Sequence, residues 1–330
     1  MKKIFALLLS AALLVTLLAA CGGGTTTDTD TDTQEPAADA STTQVEEQEP
    51  DPGDASKDDP LNQDEIGEKE LLVVSFGTSY NDSRRETIGA IEKAMQTAFP
   101  DYSVRRAFTS QIIIDHVKDR DGVTIDNVEQ ALERAVNNGV KTLVVQPTHL
   151  MNGLEYEELT DELAKYSDSF EKIAIGDPLL TSDADFEAVM TAITDATKDA
   201  ADGKTAICFM GHGTTADSNS VYSKMQTLLT DKGFNDYYVG TVEATPSLDD
   251  VLAAVQKGSY EKVILRPLMI VAGDHANNDM AGDEDDSWKS TFEKAGYTVD
   301  CQVEGLGQLE AIQQLFVEHA KAAVASAEAE

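Results

Sequence analysis

The feature that most constrains the fold is a series of short apolar segments, each of which ends abruptly in polar or glycine-rich residues. The clearest case is VILRPLMIV at residues 263–271, which runs directly into AGDHANNDM at residues 272–280. A continuous apolar run of this kind is typical of a strand that is buried on both faces of a parallel sheet. Segments with helical spacing separate the apolar runs. The alternation therefore predicts an α/β fold built from right-handed βαβ units.

This pattern occurs twice along the chain. The predicted strands lie near residues 71–76, 102–107, 142–146 and 171–175, and again near 205–210, 237–242, 261–270 and 298–303. VVQPTHLMNG at 144–153 matches ILRPLMIVAG at 264–273 in its strand, its proline and its closing glycine. FGT at 76–78 aligns with HGT at 212–214, which places Phe76 where the second half has His212.

The repeat predicts two Rossmann-like lobes, residues 71–202 and residues 203–330, each a mostly parallel sheet flanked by helices. Ligands of such sheets bind beyond the carboxyl ends of the strands. Two similar lobes would enclose a cleft with strand ends facing it.

The N-terminus has the pattern of a secretory signal. Lys2 and Lys3 precede an apolar run at residues 4–20, and small residues lead into Cys21. The alternative, a membrane-spanning helix, is disfavoured because about 17 apolar residues is at the short limit for a bilayer. The cysteine makes the segment resemble a bacterial lipoprotein signal. We therefore predict that residues 1–20 are removed and that lipid on Cys21 holds an exported protein at the extracytoplasmic face of the cell membrane.

The following segment, residues 21–70, is rich in Thr, Asp, Glu and Pro and nearly free of aliphatic residues. Such a segment cannot bury enough apolar surface to offset its ordering entropy, so we predict a disordered acidic tether. The whole chain has a formal net charge of −35, which excludes nucleic acid as a partner. Beyond Cys21 only Cys208 and Cys301 remain, too few for a disulfide framework.

Three ligand-type residues each follow a predicted strand of the second half: His212, Glu243 and His275. Two imidazoles and a carboxylate suit a divalent ion such as Co²⁺, Fe²⁺, Ni²⁺ or Zn²⁺, with coordination positions left open. The alternative for Glu243 is an ordinary solvated carboxylate. The alternative for His212, which lies between two glycines, is a nucleotide-binding turn, but neither GxGxxG nor a P-loop motif is present.

The remaining histidines and one acidic run have weaker interpretations. His116 and His319 fall in predicted helices, where a surface or packing role is expected. His149 ends a first-half strand and is either a pocket residue or a structural one. The acidic run at 283–286 precedes a predicted helix, and we interpret it as a helix start stabilised by the helix dipole.

Several longer motifs together resemble the anaerobic sirohydrochlorin cobaltochelatases, which are class II chelatases related in fold to ferrochelatase. The resemblance covers residues 71–325 and rests on these motifs in order: LLVVSFGTSY, RAFTS, RDG, NGLEYEEL, FMGHG, GTVE, RPLMIVAGDHANNDMAG and DSW. It implies a tetrapyrrole held between two lobes and insertion of Co²⁺, the substrate metal, without ATP or an organic cofactor. The same donor types also suit Fe²⁺ or Ni²⁺.

The resemblance also implies roles for individual residues. His212, Glu243 and His275 would bind the metal. His212 would also accept protons from the pyrrole nitrogens, a role that suits an imidazole near neutral pH. Glu243 would lower the cost of bringing in the dication and relay the proton.

The carboxylates of the tetrapyrrole need donors from an otherwise acidic domain. By position the candidates are His149, main-chain N–H groups following Gly77 and Gly213, and four arginines. The arginines are Arg84, Arg85, Arg106 and Arg266. Neither these residues nor the composition decides whether the protein forms a homo-oligomer.

The predicted signal and tether depart from the cytoplasmic members of this family. An alternative function is therefore a membrane-anchored lipoprotein that binds a metal or a tetrapyrrole for uptake or storage, without catalysis. The presence of His212 beside Glu243 and His275 favours the enzyme, because capture of a finished metallated ring needs no proton acceptor.

Overall fold

The computed structural model describes residues 51–329, which belong to one compact unit. The predicted signal peptide, Cys21 and residues 22–50 of the predicted tether lie outside the described residues. Within residues 51–329, no helix has both the length and the apolar character needed to cross a bilayer.

Two four-stranded parallel sheets form the framework, as predicted. The first has the order β2-β1-β3-β4 and the second the order β6-β5-β7-β8. The strands are β1 (Lys69–Ser75), β2 (Ser103–Phe108), β3 (Thr142–Pro147), β4 (Lys172–Ile175), β5 (Thr205–Gly211), β6 (Tyr237–Thr241), β7 (Lys262–Pro267) and β8 (Thr298–Cys301).

Helices cover both faces of each sheet. They are α1 (Asn81–Glu86), α2 (Ile88–Ala98), α3 (Gln111–Asp121), α4 (Val128–Asn137), α5 (Leu154–Ala164), α6 (Asp183–Thr197), α7 (Ser220–Asp231), α8 (Leu248–Val255), α9 (Trp288–Lys294) and α10 (Glu310–Ala329). Because successive strand side chains alternate between faces, Leu71 and Val73 pack in one core while Leu72 and Val74 pack in another. This double burial explains why the strands are continuous apolar runs.

The helices do not follow the predicted boundary between lobes at residue 203. Helix α6 follows β4 of the first sheet but packs on α7 of the second lobe, and Thr197 Oγ1 lies 2.9 Å from the Tyr237 hydroxyl. Helix α10, at the end of the chain, packs against β3 and β4 of the first sheet. The two sheets lie on either side of residue 203, whereas the last helix of each half packs across it, and the boundary between lobes stays a prediction. The exchange places residues of both lobes in one apolar core.

The folded part begins before Leu71, so the prediction of a disordered tether is wrong for residues 51–70. Residues 61–63 lie along the edge strand β2, where the Leu61 carbonyl accepts a hydrogen bond from the Arg106 main chain at 3.1 Å and Gln63 Nε2 donates to the Val104 carbonyl at 3.3 Å. Asp58 Oδ2 lies 2.6 Å from Arg84 Nε and 2.7 Å from Arg106 Nη1. A composition-based prediction misses this segment because its order comes from specific contacts, among them the Asp58 carboxylate with two buried guanidinium groups and the buried Leu61 side chain.

The acidic run at 283–286 ends just before the N-cap of α9, and none of its carboxylates lies in the first turn of the helix, so the predicted interaction with the helix dipole is not confirmed. Ser287 caps the helix by accepting a hydrogen bond from Ser290 N at 3.0 Å. Asp283 pairs with Lys289 at 2.6 Å, and Asp285 pairs with Lys294 at 2.7 Å. These ion pairs engage two of the four carboxylates of the run.

Candidate metal centre

The three predicted donors of the second lobe come together. One ligand atom each from His212, Glu243 and His275 lies within 4.8 Å of the others. The two imidazole rings are 4.6 Å apart between centroids, with an angle of 81° between their planes. The sheet order explains the convergence: β5 lies between β6 and β7, so the three strand ends are neighbours at one edge.

His212 is oriented by its own loop. Its Nδ1 lies 2.8 Å from the Gly213 carbonyl oxygen. A carbonyl only accepts, so Nδ1 carries the proton and Nε2 keeps its lone pair for a metal. Gly213 has φ +90°, and a Cβ there would come within 2.9 Å of Ala244. This turn therefore requires glycine, both for its left-handed backbone and for its close packing.

His275 is oriented by a carboxylate one helical turn away. The strand-end loop continues into a π-helical turn, Ala276–Met280, and His275 Nδ1 lies 2.7 Å from Asp279 Oδ2. Asn277 Nδ2 donates to the Gly273 carbonyl at 2.8 Å and holds the start of the turn. A carboxylate on Nδ1 fixes the tautomer and leaves Nε2 as the ligand atom.

Glu243 is tied to the His212 loop through the main chain. Glu243 N donates to the His212 carbonyl at 2.9 Å, and Val242 N donates to the Gly211 carbonyl at 3.0 Å. The side chain of Glu243 is exposed. Two Nε2 atoms and one carboxylate leave coordination positions open, and solvent reaches the site, so the donor set fits a divalent ion that must be exchanged.

The loops of the first lobe form the opposite wall of a cleft. A Cβ on Gly273 would lie 3.1 Å from Thr78 Oγ1, and a Cβ on Gly153 would lie 3.3 Å from Ser218 Oγ. The strand ends of the two sheets therefore face each other. On the first-lobe side, Phe76 and Leu154 are large apolar side chains with exposed fractions of 46% and 58%. They give this wall an apolar character.

Glu155, in the first turn of α5, belongs to the cleft but was not predicted. Partial removal from solvent raises the pKa of the Glu155 carboxyl, although its side chain is still 46% exposed, and the nearby His212 opposes that increase. The sequence contained a signal for it: extending the match of 144–153 with 264–273 by two residues aligns Glu155 with His275. A carboxylate thus faces the metal-binding loops from the first lobe.

The prediction that Arg106 binds substrate carboxylates is wrong. Arg106 is 1% exposed, and its guanidinium is held by Glu92 and Asp58, each at 2.7 Å. Arg84 is equally buried and pairs with Asp58. Strand residue Arg106 pairs with carboxylates from α2 and from the segment before β1, and a sequence without tertiary contacts cannot show this pairing.

The other predicted donors for the substrate are also mostly engaged. Arg85 pairs with Asp82 and Glu86, while Arg266 hydrogen-bonds Gln302 and Glu304. Gly213 N donates to the Tyr222 hydroxyl at 3.3 Å, and Thr214 N, which follows it, donates to Asn219 Oδ1 at 3.0 Å. Gly77 lies against the Phe108 ring, and its role toward a substrate stays a prediction.

The three remaining histidines differ from one another. His116 is exposed on α3. His319 lies 3.0 Å from Asp185 through Nε2 and 3.1 Å from the Asp177 carbonyl through Nδ1, in agreement with a packing role. His149 is buried beneath Glu155, and burial lowers its pKa to about 4. It therefore has no open surface to offer a substrate directly.

Comparison with known proteins relates this chain to metal chelatases. The sequence profile of the cobalt chelatase (CbiK) family matches residues 69–325. A sirohydrochlorin cobaltochelatase of Salmonella typhimurium is 38% identical over 251 residues, 76% of this chain and 94% of the relative. The sirohydrochlorin cobaltochelatase CbiKC of Nitratidesulfovibrio vulgaris is 30% identical over 260 residues, 78% of this chain and 91% of the relative.

One solved structure gives independent support for the fold. SirB of Bacillus subtilis with Fe³⁺ superimposes with a TM-score of 0.57 at 14% identity, covering 80% of this chain and 98% of SirB. Because nearly the whole of SirB is covered, the likeness extends over both parallel sheets described above.

Proposed function

The chain belongs to the cobalt chelatase (CbiK) family, and from this premise we propose that it inserts Co²⁺ into sirohydrochlorin. The observation that carries the proposal is the convergence of His212, Glu243 and His275 within 4.8 Å at one wall of a cleft. The names of the two relatives support sirohydrochlorin as the tetrapyrrole. The family supports cobalt as the substrate metal, and the same donors also accept Fe²⁺ or Ni²⁺.

The metal is first held by the second lobe. The Nε2 atoms of His212 and His275 are the free ring nitrogens, because each Nδ1 is already hydrogen-bonded. The Glu243 carboxylate offsets part of the ion's charge. Open coordination positions allow the pyrrole nitrogens to replace these protein ligands one at a time.

Proton transfer follows from the charge balance of insertion. The macrocycle gives up two N–H protons for each Co²⁺ that enters. When the ion leaves His212, the Nε2 lone pair becomes free to accept one of these protons. Glu155, on the opposite wall and within the electrostatic influence of His212, is placed to accept the other. A carboxyl whose pKa is raised by burial is a better base than an ordinary glutamate.

The first-lobe wall would hold the flat ring. Phe76 and Leu154 expose apolar surface at the edge that faces the metal donors. An aromatic and an aliphatic side chain suit the face of a conjugated macrocycle. The ring would then lie between apolar side chains on one side and metal donors on the other.

We also propose that the protein works outside the cytoplasm, anchored by lipid on Cys21. The support is the N-terminal sequence: two lysines, an apolar run and small residues before the cysteine. Replacing Cys21→Ser should move the protein from the membrane fraction to the soluble fraction and abolish labelling by a radioactive fatty acid. Unchanged membrane association without label would contradict the lipid anchor.

The catalytic proposal is tested by mixing the full chain with sirohydrochlorin and Co²⁺ and following the absorption change of metallation. Turnover should exceed the spontaneous rate and be lost in both His212→Ala and His275→Ala. His116→Ala, an exposed histidine on α3, is the matched control and should behave as the wild type. Tight binding of pigment or metal with no acceleration would contradict the enzyme and leave an uptake or storage lipoprotein.

A further inference from the structure

His149 is a buried polar side chain whose hydrogen bonds are missing. It is 7% exposed, and neither ring nitrogen has a hydrogen-bond partner among residues 51–329. Buried polar groups are nearly always paired, so an orphaned imidazole at the cleft needs an explanation. The ionisable group beside it is Glu155, whose Oε2 lies 3.5 Å from His149 Nε2. That separation is slightly too long for a hydrogen bond.

The two partners differ in mobility. The main chain around His149 is held on both sides: Thr148 N donates to the Val74 carbonyl at 2.8 Å, and the His149 carbonyl accepts from Leu179 N at 2.9 Å. The Glu155 side chain, by contrast, is 46% exposed at the start of α5. A shift of roughly half an ångström would bring the carboxylate within hydrogen-bond distance. Glu155 is therefore the partner that moves.

The protonation state of His149 decides the direction of the bond. Burial lowers the pKa of this imidazole and so keeps it neutral at neutral pH. A neutral imidazole carries one N–H, and an ionised carboxylate only accepts. Nε2 would therefore donate and Glu155 would accept.

We infer that His149 is a positioning residue for chelation. Once the tetrapyrrole fills the cleft, the Nε2–H of His149 donates to the Glu155 carboxylate, and this hydrogen bond directs the carboxylate toward a pyrrole N–H. The inference rests on the proposed function. It adds that Glu155, the second proton acceptor, is oriented by a hydrogen bond from the buried His149 side chain. Catalytic hydrogen bonds are often long before substrate binds and shorten in the complex.

The test uses the full chain and four variants in the absorption assay: His149→Met, His149→Gln, Glu155→Gln and the double variant His149→Met/Glu155→Gln. Methionine is the residue at the aligned position of the second lobe, Met269. At position 149 it would remove the N–H donor and place an apolar side chain in the buried site. It should lower kcat about tenfold, as expected for a lost hydrogen bond to a charged group, with KM for Co²⁺ and for pigment unchanged. The glutamine side chain keeps an N–H donor, so His149→Gln should retain most of the rate.

The double variant separates positioning from a general structural effect. If His149 acts through Glu155, His149→Met should cause no further loss when Glu155→Gln is already present. The inference would be overturned if the losses in kcat of the two single variants multiplied in the double variant. It would also be overturned if His149→Met and His149→Gln lost kcat equally, or if His149→Met kept the full rate.

A second measurement decides the inference even if the wild type shows no turnover, which would contradict the proposed function itself. In ¹⁵N-histidine NMR of the full chain, metal-free sirohydrochlorin should produce a slowly exchanging His149 Nε2–H signal. The signal should be absent in Glu155→Ala, which removes the acceptor oxygen. Its absence in the wild type with bound pigment would overturn the inference.

Discussion

The two sheets have the same strand order, yet the side chains at their carboxyl edges differ in kind. In the second lobe the positions after β5, β6 and β7 hold His212, Glu243 and His275. Sequence alignment and strand register place Phe76, Ser110 and Glu155 at the equivalent positions of the first lobe. These first-lobe positions hold an aromatic ring, a hydroxyl and a single carboxylate.

This difference shows that the same strand order can carry different functional side chains at the carboxyl ends of its strands. Parallel strands bring three positions together in either lobe, whatever side chains they carry. Of these two edges, that of the second lobe carries a donor set for a divalent ion. The first lobe offers apolar surface and one base, which suits a ring that approaches metal donors from one side.

A second contrast lies in the edge strands. Arg106 in β2 is a buried cation held by Glu92 and Asp58, whereas the equivalent position in β6 is the apolar Val239. The first lobe therefore depends on an ionic cluster completed by the segment before β1. The second lobe needs no such segment at this position.

The comparison of the two edges predicts the largest effect for His275→Ala. Loss of one of three metal donors should reduce turnover about 1,000-fold and abolish measurable Co²⁺ binding in calorimetry. Glu155→Gln, at the equivalent position of the first lobe, should leave Co²⁺ affinity within about threefold, because it removes a proton acceptor rather than a metal donor. Equal losses of Co²⁺ affinity in both variants would contradict the division of roles.

The contrast between the edge strands predicts a smaller effect, on stability. Asp58→Asn removes the carboxylate shared by Arg84 and Arg106 and leaves buried positive charge without its partner. The free energy of unfolding should fall by about 3 kcal/mol in urea denaturation. Asp54→Asn, whose carboxylate is exposed in the same segment, should leave the free energy of unfolding almost unchanged. An unchanged free energy of unfolding in Asp58→Asn would contradict the stabilising role of this carboxylate.

The smallest predicted effect is on the pH dependence of stability when His149 is replaced by methionine, the residue at the aligned position 269 of the second lobe. Burial lowers the pKa of His149 to about 4, whereas an unfolded histidine titrates near 6.5. Between these values the unfolded chain binds a proton that the folded chain does not, so stability falls as pH decreases from 6.5 toward 4. From about pH 6.5 to about pH 5, wild type should lose about 1.5 kcal/mol more than His149→Met. Parallel stability curves for the two proteins would contradict this.

Much of the architecture was readable because it depends on local patterns. Apolar runs and helical spacing predicted the strands and their parallel arrangement. The positions of His212, Glu243 and His275 after predicted strands predicted their convergence, although His275 lies eight residues beyond the end of β7 (Lys262–Pro267). Glu155 was also within reach, since the match of residues 144–153 with 264–273 stops only two residues short of it.

What the sequence by itself determined is the fold class, the repeat of two parallel sheets and the convergence of His212, Glu243 and His275 at one sheet edge. Each follows from periodicity along the chain and from the geometry of parallel strands. Only the tertiary structure decided that α6 and α10 pack across the lobes, that Asp58 pairs with buried Arg84 and Arg106, and that His149 lies beneath Glu155. The helix contacts and ion pairs join elements far apart in the chain, and the contact of His149 with Glu155 depends on how a loop folds back on a strand end. No local pattern encodes which partner a buried charge or a helix face will find.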